Sequence, residues 1–151
     1  MKTLSVAAIK NGTVIDHIPA GSALKIILLL KVAESHCKTI LALHFSSSSM
    51  GFKDILKIED RFLTEKEAHD IAIFAPNATI NIIKNYKVAQ KISAKLPSSV
   101  ENILICPNPR CITHDAHVST LFHVEESRQS VYLRCHYCER LFQQGALKDI
   151  L

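Results

Sequence analysis

Apolar residues in the first two thirds of the chain recur with two periods, which predict strands in some segments and helices in others. Leu4 to Ile9 and Thr13 to Ile18 are apolar and rich in β-branched side chains, and they flank Asn11-Gly12, a pair that tolerates a tight turn. This pattern predicts a hairpin or a bent strand. Ser22 then stands where it would cap a helix over the next apolar run, for which a buried strand is the alternative.

The remaining elements of this region continue the alternation. Thr64 and Glu67 have the spacing of a capping box, and the apolar stripe that follows them predicts a second helix ended by Pro76. The polar residues Ser46 to Ser49 predict a loop between two strands. Four segments have strand character, two before the second helix and two after it: Lys38 to Phe45, Phe52 to Ile58, Ala78 to Lys84 and Tyr86 to Ile92. The order β, α, β, β, α, β with a further terminal strand is that of a ferredoxin-like sheet.

Ser93 to Ser99 loses the apolar periodicity and contains a proline, which indicates a domain boundary. We therefore predict one domain over residues 1–97 and a second over residues 98–151. The second segment is too short to build a robust core unaided, a deficit that a bound metal can offset.

Four of the five cysteines form two close pairs in this second segment. Four residues lie between Cys106 and Cys111, two lie between Cys135 and Cys138, and 23 separate the pairs. Two tight turns can each present two thiolates to one tetrahedral Zn²⁺, which predicts a closed, structural site. Two disulfides, iron in place of zinc, or His136 in place of one cysteine are the less favoured alternatives. The predicted fold class is α+β: a ferredoxin-like βαββαβ domain followed by a small, mainly β, zinc-ribbon-like domain.

Composition and charge narrow the function. Of 151 residues, 48% are hydrophobic, and no apolar run approaches the roughly 20 residues of a membrane span, so we expect a cytoplasmic protein without membrane contact. The net charge of +4 lies entirely in residues 1–105, and residues 106–151 carry five basic and five acidic residues. A nucleic-acid-binding zinc ribbon normally has a basic face, so this function is the alternative and not the leading prediction.

Candidate chemistry is limited to binding. The sequence has no phosphate-cradling glycine loop and no catalytic motif, so we predict no catalytic residues. Four lysines within twelve residues favour a small polyanionic ligand, with a solvated strand face as the alternative: Lys84, Lys87, Lys91 and Lys95.

Several motifs are specific enough to compare with a known family: Lys10 to Ala20, Met50 to Glu59, Ala75 to Thr79, Cys106 to Asn108 and Cys135 to Glu139. In this order, over nearly the full length, they resemble the regulatory chain of aspartate carbamoyltransferase. The resemblance implies a non-catalytic chain with an N-terminal allosteric domain and a C-terminal zinc domain. It implies binding of CTP or ATP, often with UTP, and control of the first committed step of pyrimidine biosynthesis. It also implies a regulatory homodimer within a dodecamer of six catalytic and six regulatory chains.

The resemblance also implies roles for individual residues of the allosteric domain. Asp16 and Lys57 would meet the ribose hydroxyls, and His17 and Lys91 would meet the phosphates. The base would be framed by residues that act largely through their backbone, with a polar side chain nearby: Ile9, Tyr86, Val88 and Asn81. Asp16 and His17 are adjacent and should face opposite sides of a regular strand. A strand that ends at Pro19, or a ligand that straddles the strand end, would reconcile them.

In the zinc domain the resemblance makes Asn108, Arg110 and Glu139 candidates for contact with the catalytic chain. Two positions depart from the family pattern. Arg110 replaces an asparagine just before the second zinc cysteine, and Ser93 replaces an arginine two residues after the phosphate-binding lysine. We expect these departures to alter contacts to the catalytic chain and nucleotide preference, respectively.

Overall fold

The computed structural model describes residues 8–128 and 130–151, so the predicted strand over Leu4 to Ile9 lies mostly outside the described residues. The chain divides into two compact units between Lys95 and Leu96. The predicted domain limits, 1–97 and 98–151, stay a prediction. The first unit contains β1 (Gly12–Pro19), α1 (Ala23–Leu29), β2 (Thr39–Ser47), β3 (Gly51–Glu59), α2 (Glu65–Phe74), β4 (Thr79–Lys84) and β5 (Lys87–Ser93).

The five strands form one antiparallel sheet in the order β2-β3-β1-β4-β5. Both helices pack on one face of this sheet. Ile26 of α1 and Ile71 of α2 share a buried cluster with Ile15, Leu56 and Ile80 from the central strands. The predicted ferredoxin-like order, with its additional terminal strand, is confirmed.

The helix termini confirm one predicted cap and correct the other. At α2 the Thr64 side chain accepts the Glu67 N–H at 3.2 Å and the Glu67 carboxylate accepts the Thr64 N–H at 3.1 Å, which is the predicted capping box. Ser22 lies at the N-cap position of α1 but makes no side-chain cap. Instead, the carboxylate of Asp54 on β3 accepts hydrogen bonds from the N–H groups of Gly21 and Ala23. A strand residue therefore takes the capping role predicted for Ser22.

The predicted loop over Ser46 to Ser49 is shorter than expected. Ser46 and Ser47 belong to β2, because they pair with Phe52 and Gly51 of β3, and the turn occupies residues 48–50. A run of serines has no apolar alternation, so its strand character comes from pairing within the hairpin and not from its own pattern.

A β-bulge interrupts β1. Ile15 and Ile18 are three positions apart, yet both are fully buried in the core. The two residues between them, Asp16 and His17, oppose the single residue Ile55, and His17 has a φ of 59°. The bulge turns both side chains away from the helices, so neither a strand end nor a straddling ligand is needed to bring them to one side.

The second unit is small and mainly β, as predicted. Its strands are β6 (Ser99–Glu101), β7 (Leu104–Ile105), β8 (Leu121–Ser127), β9 (Ser130–Cys135), β10 (Leu141–Gln143) and β11 (Lys148–Asp149). One sheet has the order β10-β9-β8-β6, and β7 pairs with β11. Its core centres on the buried side chains of Val100, Phe122 and Leu133. Within residues 8–128 and 130–151, no helix has the length and apolar character to cross a membrane.

Candidate functional site

The four paired cysteines come together in the second unit. Their sulfur atoms all lie within 4.8 Å of one another, with 3.7 Å between Cys106 and Cys138 and 3.6 Å between Cys111 and Cys135. All four are free thiols, so the structure contains none of the disulfides considered as an alternative. Ligands about 2.3 Å from a tetrahedral Zn²⁺ are about 3.8 Å apart, so the cluster fits zinc.

Each cysteine pair lies in a tight turn whose polar groups point at sulfur. The backbone N–H of Asn108 donates to Cys106, and the N–H of Arg140 donates to Cys138. The Asn108 side chain accepts the Arg110 N–H at 3.1 Å and also bonds to Cys138. Such donors favour the thiolate form that a metal needs and fix the direction of each sulfur.

The surroundings of the four cysteines shift the pKa values of their thiols in opposite directions. Burial raises the pKa of the Cys106 and Cys135 thiols, and hydrogen bonds to neighbouring sulfurs raise them further. Burial acts in the same direction on Cys111 and Cys138, but hydrogen bonds outweigh it. Those from Thr113 lower the pKa of Cys111, and those around Cys138 lower its pKa to about 7. A metal must therefore displace protons from the cluster.

Zinc affinity should fall steeply as the pH falls. Because the pKa values of Cys106 and Cys135 are raised, both thiols must lose a proton when they bind the metal, so binding releases at least two protons. The dissociation constant should rise at least about 100-fold for each unit of acidification below pH 8. Competition with a metal indicator measures this slope. A change of only about tenfold per unit would contradict the two-proton account.

The predicted alternative ligand, His136, does not join the cluster. Its Nδ1 lies 3.0 Å from Nε2 of His123, on the exposed side of the second unit. His114 is likewise held elsewhere, because its Nε2 lies 2.8 Å from the Asn108 carbonyl. The centre is therefore built from cysteine alone.

The side of the first sheet opposite the helices, which we call the open face, carries most of the predicted nucleotide residues. One row of paired residues crosses β3, β1, β4 and β5 in the order Lys57, Val14, Asn81 and Lys91. Their chain neighbours Leu56, Ile15 and Ile80 belong to the core on the helix side, so alternation turns this row outward. Three of the predicted residues thus become neighbours across four strands.

The bulge residues lie one row further along β1. Asp16 pairs with Thr79, whose hydroxyl lies 3.3 Å from Nδ1 of His17. The Lys53 ammonium lies 3.0 Å from Oδ1 of Asp16. Lys53 and Thr79 were not among the predicted residues. Their proximity depends on the bulge, which no residue spacing in the sequence reveals.

The open face is electropositive around this bulge. Lys53 and Lys57 lie on β3 to one side of the bulge, and Lys91 lies on β5 to the other side. Asp16 contributes a carboxylate between them and pairs with Lys53. Burial lowers the pKa of Lys57, and the nearby Asp16 charge acts in the opposite direction. An ammonium that is partly desolvated binds an anionic oxygen strongly, so the surface is suited to a polyanion.

The three residues predicted to frame a base gather at the other end of the open face. Ile9 is buried just before β1, and Tyr86 is 66% exposed in the turn between β4 and β5. The Tyr86 N–H donates to the Lys10 carbonyl at 2.9 Å, which joins the two segments. Val88 pairs with Ile83, in the row next to that of Asn81. This end offers apolar side chains and backbone groups that could frame a base.

The three predicted interface residues flank the metal cluster. Arg110 and Glu139 are exposed. Glu139 has a φ of 62°, and its N–H donates a hydrogen bond to the Cys135 carbonyl. Asn108 is buried, and its side chain is already engaged inside the cluster. Arg110 and Glu139 are therefore available to a partner, whereas Asn108 acts on the shape of the turn.

Comparison with known proteins gives a consistent match over both units. Residues 4–95 match the family model described as the aspartate carbamoyltransferase regulatory chain, allosteric domain, and residues 98–148 match the metal binding domain of the same chain. The sequence is 49% identical over 146 residues to the aspartate carbamoyltransferase regulatory chain of Pyrococcus abyssi, covering 95% of each chain. It is 45% identical over 146 residues to that of Vibrio campbellii, covering 97% of this chain and 95% of the relative.

Proposed function

The chain belongs to the family of aspartate carbamoyltransferase regulatory chains. From this membership we propose that the chain binds a nucleoside triphosphate on the open face and contacts catalytic chains through its zinc domain. As a member of this family it is a regulatory, non-catalytic chain with an allosteric and a metal-binding domain. The four-cysteine centre is a structural zinc site. The observation that carries the nucleotide site is the clustering of Asp16, His17, Lys57 and Lys91 on one face.

The open face supports CTP or ATP in one orientation, with UTP as a further ligand. Val88 and the bulge at Asp16 and His17 are two rows apart, a distance of about 14 Å along the strands, which an extended nucleoside triphosphate can span. The base would lie at the apolar end and the ribose hydroxyls between Asp16 and Lys57. The phosphates would reach His17 and Lys91, and the Lys91 ammonium would supply positive charge there.

The zinc domain supports a protein contact beside the metal. Ile112, Tyr137 and Leu141 are 60%, 44% and 43% exposed, although each is large and apolar. Apolar side chains grouped around a rigid centre, with charges such as Arg110 and Glu139 at the rim, are typical of a protein interface. The regulatory chain associates with the catalytic chain, and we infer the family's dodecamer of six catalytic and six regulatory chains.

A homodimer is best supported at the β2 edge of the first sheet. Among the residues that the structure describes, β2 and β5 form the two edges of this sheet. β5 carries Lys87 and Lys91, so pairing two copies there would bring like charges together. β2 runs for nine residues without an aspartate, glutamate, lysine or arginine, and its Leu43 is 49% exposed. A long, uncharged edge is a template for a second strand, which favours β2 as the pairing edge.

Reconstitution with the catalytic chain tests the proposed function. At subsaturating aspartate, adding the zinc-loaded chain should make the carbamoyl-transfer rate respond to CTP and ATP, as expected of a chain that acts in the cytoplasm on the first committed step of pyrimidine biosynthesis. The response requires that nucleotide bind two states of the assembly with affinities that differ by about 1 to 3 kcal/mol. Association without a nucleotide response would reduce the chain to a structural partner.

A further inference from the structure

We propose that Asp54 is a positioning residue that holds two β-bulges on either side of β3 and thereby links the open face to the β2 edge. The first bulge is Asp16 and His17 in β1, and the second is Leu43 and His44 in β2. The inference rests on the proposed function, in which these two regions are the nucleotide site and the pairing edge. Asp54 itself touches neither a ligand nor a partner chain in this proposal.

Asp54 is a fully buried carboxylate held by backbone donors. Its Oδ1 accepts the N–H of His44 at 2.9 Å, and its Oδ2 accepts those of Gly21 at 2.8 Å and Ala23 at 3.2 Å. A buried charge is costly unless hydrogen bonds replace its hydration. The three donors come from β2 and from the start of α1, so the carboxylate holds separate elements at fixed positions around β3.

The second bulge lies directly beside this carboxylate. Ala42 pairs with Ile55 and Phe45 pairs with Lys53, so Leu43 and His44 together oppose Asp54. His44 has a φ of 59°, and its N–H is the one that Asp54 accepts. A positive φ is unfavourable for a residue other than glycine, so the hydrogen bond to Asp54 helps to hold the strained backbone.

The first bulge ends at the same point of β3. Ile18, the residue after it, pairs with Asp54 across the other side of the strand. The two residues before Asp54 also reach one bulge each. The Lys53 ammonium lies 3.0 Å from Asp16, and the Phe52 ring stacks on the His44 ring with centroids 4.2 Å apart and planes at 15°. Three consecutive residues of β3 thus lie between the two bulges. Phe52 contacts the second bulge and Lys53 the first, and the buried carboxylate of Asp54 bonds to the second while its backbone pairs with the residue that follows the first.

This arrangement predicts a reciprocal effect between the two regions. A nucleotide that engages Asp16 and His17 shifts or rigidifies the first bulge, and Asp54 couples that change to His44. Strand pairing at β2 acts on His44 and is coupled back through the same carboxylate. Linkage requires that each event change the affinity of the other by the same factor.

The test uses the full zinc-loaded chain with two substitutions of His44, one of Asp54 and one control substitution on the same strand. His44→Val places a β-branched side chain at positive φ and should disrupt the second bulge, whereas His44→Gly removes the ring but accepts that φ. In ligand-free protein, the backbone amide and ring nitrogen signals of His17 should shift in His44→Val and stay in place in His44→Gly. Asp54→Asn should reproduce the shift, and Glu59→Gln on the same strand should not.

The nucleotide arm measures CTP binding by the same variants, above the concentration at which the chain pairs. We expect the dissociation constant to rise about tenfold in His44→Val and Asp54→Asn and to stay within about twofold in the other two. Unchanged His17 signals in His44→Val would overturn the inference. If Asp54→Asn fails to fold, as judged by circular dichroism, His44→Val decides alone. If the native chain binds neither CTP nor ATP, the proposed function fails, and the His17 signals still decide the link between the bulges.

Discussion

Removal of zinc is expected to unfold the second unit while the first stays folded and continues to bind nucleotide. The second unit has a small core around Val100, Phe122 and Leu133, and its four cysteines join segments far apart in the sequence. A structural zinc contributes about 10 to 16 kcal/mol in small modules, at least as much as the net stability of a typical domain. The first unit has its own larger cluster, in which Ile71 and Leu56 are fully buried.

Cys135→Ser is the sharpest form of this test, because Cys135 is fully buried and its loss leaves three ligands. The amide signals of Phe122 and Leu133 should lose their dispersion, whereas those of Ile15 and Leu56 should not move. Catalytic trimers should separate from the assembly on size exclusion. Cys37→Ser is the matched control, since Cys37 is a half-buried free thiol in the first unit. A fully metal-free chain that still holds the trimers would refute a structural role for zinc at this interface.

The parts of the molecule that the sequence predicts are those in which local spacing decides the structure. Thr64 and Glu67 bond to each other because residues three positions apart at the start of a helix lie close together, and this spacing can be read directly from the sequence. The cysteine pairs are similar, since each tight turn fixes its own two sulfurs. Only the proximity of the two turns to each other depends on the fold. It can be predicted because a tetrahedral metal needs four thiolates at one point, and the two turns carry two each.

The features that the sequence could not predict depend on pairing between distant strands. Ser22 has the residue type of a helix cap, but the carboxylate of Asp54 reaches the same N–H groups from β3 and takes that role. The bulge at Asp16 and His17 arises from the register of β1 on β3, and nothing in the local alternation marks it. Lys53 enters the open face through the same register. Sequence periodicity assumes regular strands, so it fails where a strand is interrupted, and here the interruption lies within the candidate site.

Lys91→Ala is expected to weaken nucleotide binding much more than Lys87→Ala. Both lysines are exposed on β5, so both substitutions should leave stability nearly unchanged. Lys91 pairs with Asn81 in the row that also contains Lys57, whereas Lys87 pairs with Lys84 beside the turn. A hydrogen bond to a charged group contributes about 1.5 to 3 kcal/mol, so losing one phosphate contact should raise the CTP dissociation constant about 10- to 100-fold.

The assembled enzyme gives a second readout for the same pair of variants. If Lys91 only binds nucleotide, the CTP response curve of the Lys91→Ala assembly should move to higher concentration by the factor measured for binding. The rate at saturating CTP should be the same as in the native assembly, because the coupling free energy between sites depends on the two bound states and not on affinity alone. Equal losses in Lys87→Ala and Lys91→Ala would mean that β5 attracts phosphate only through its overall charge. Raising the salt concentration would then abolish most of the binding to the native chain, since exposed charges are screened over about 10 Å at 0.1 M.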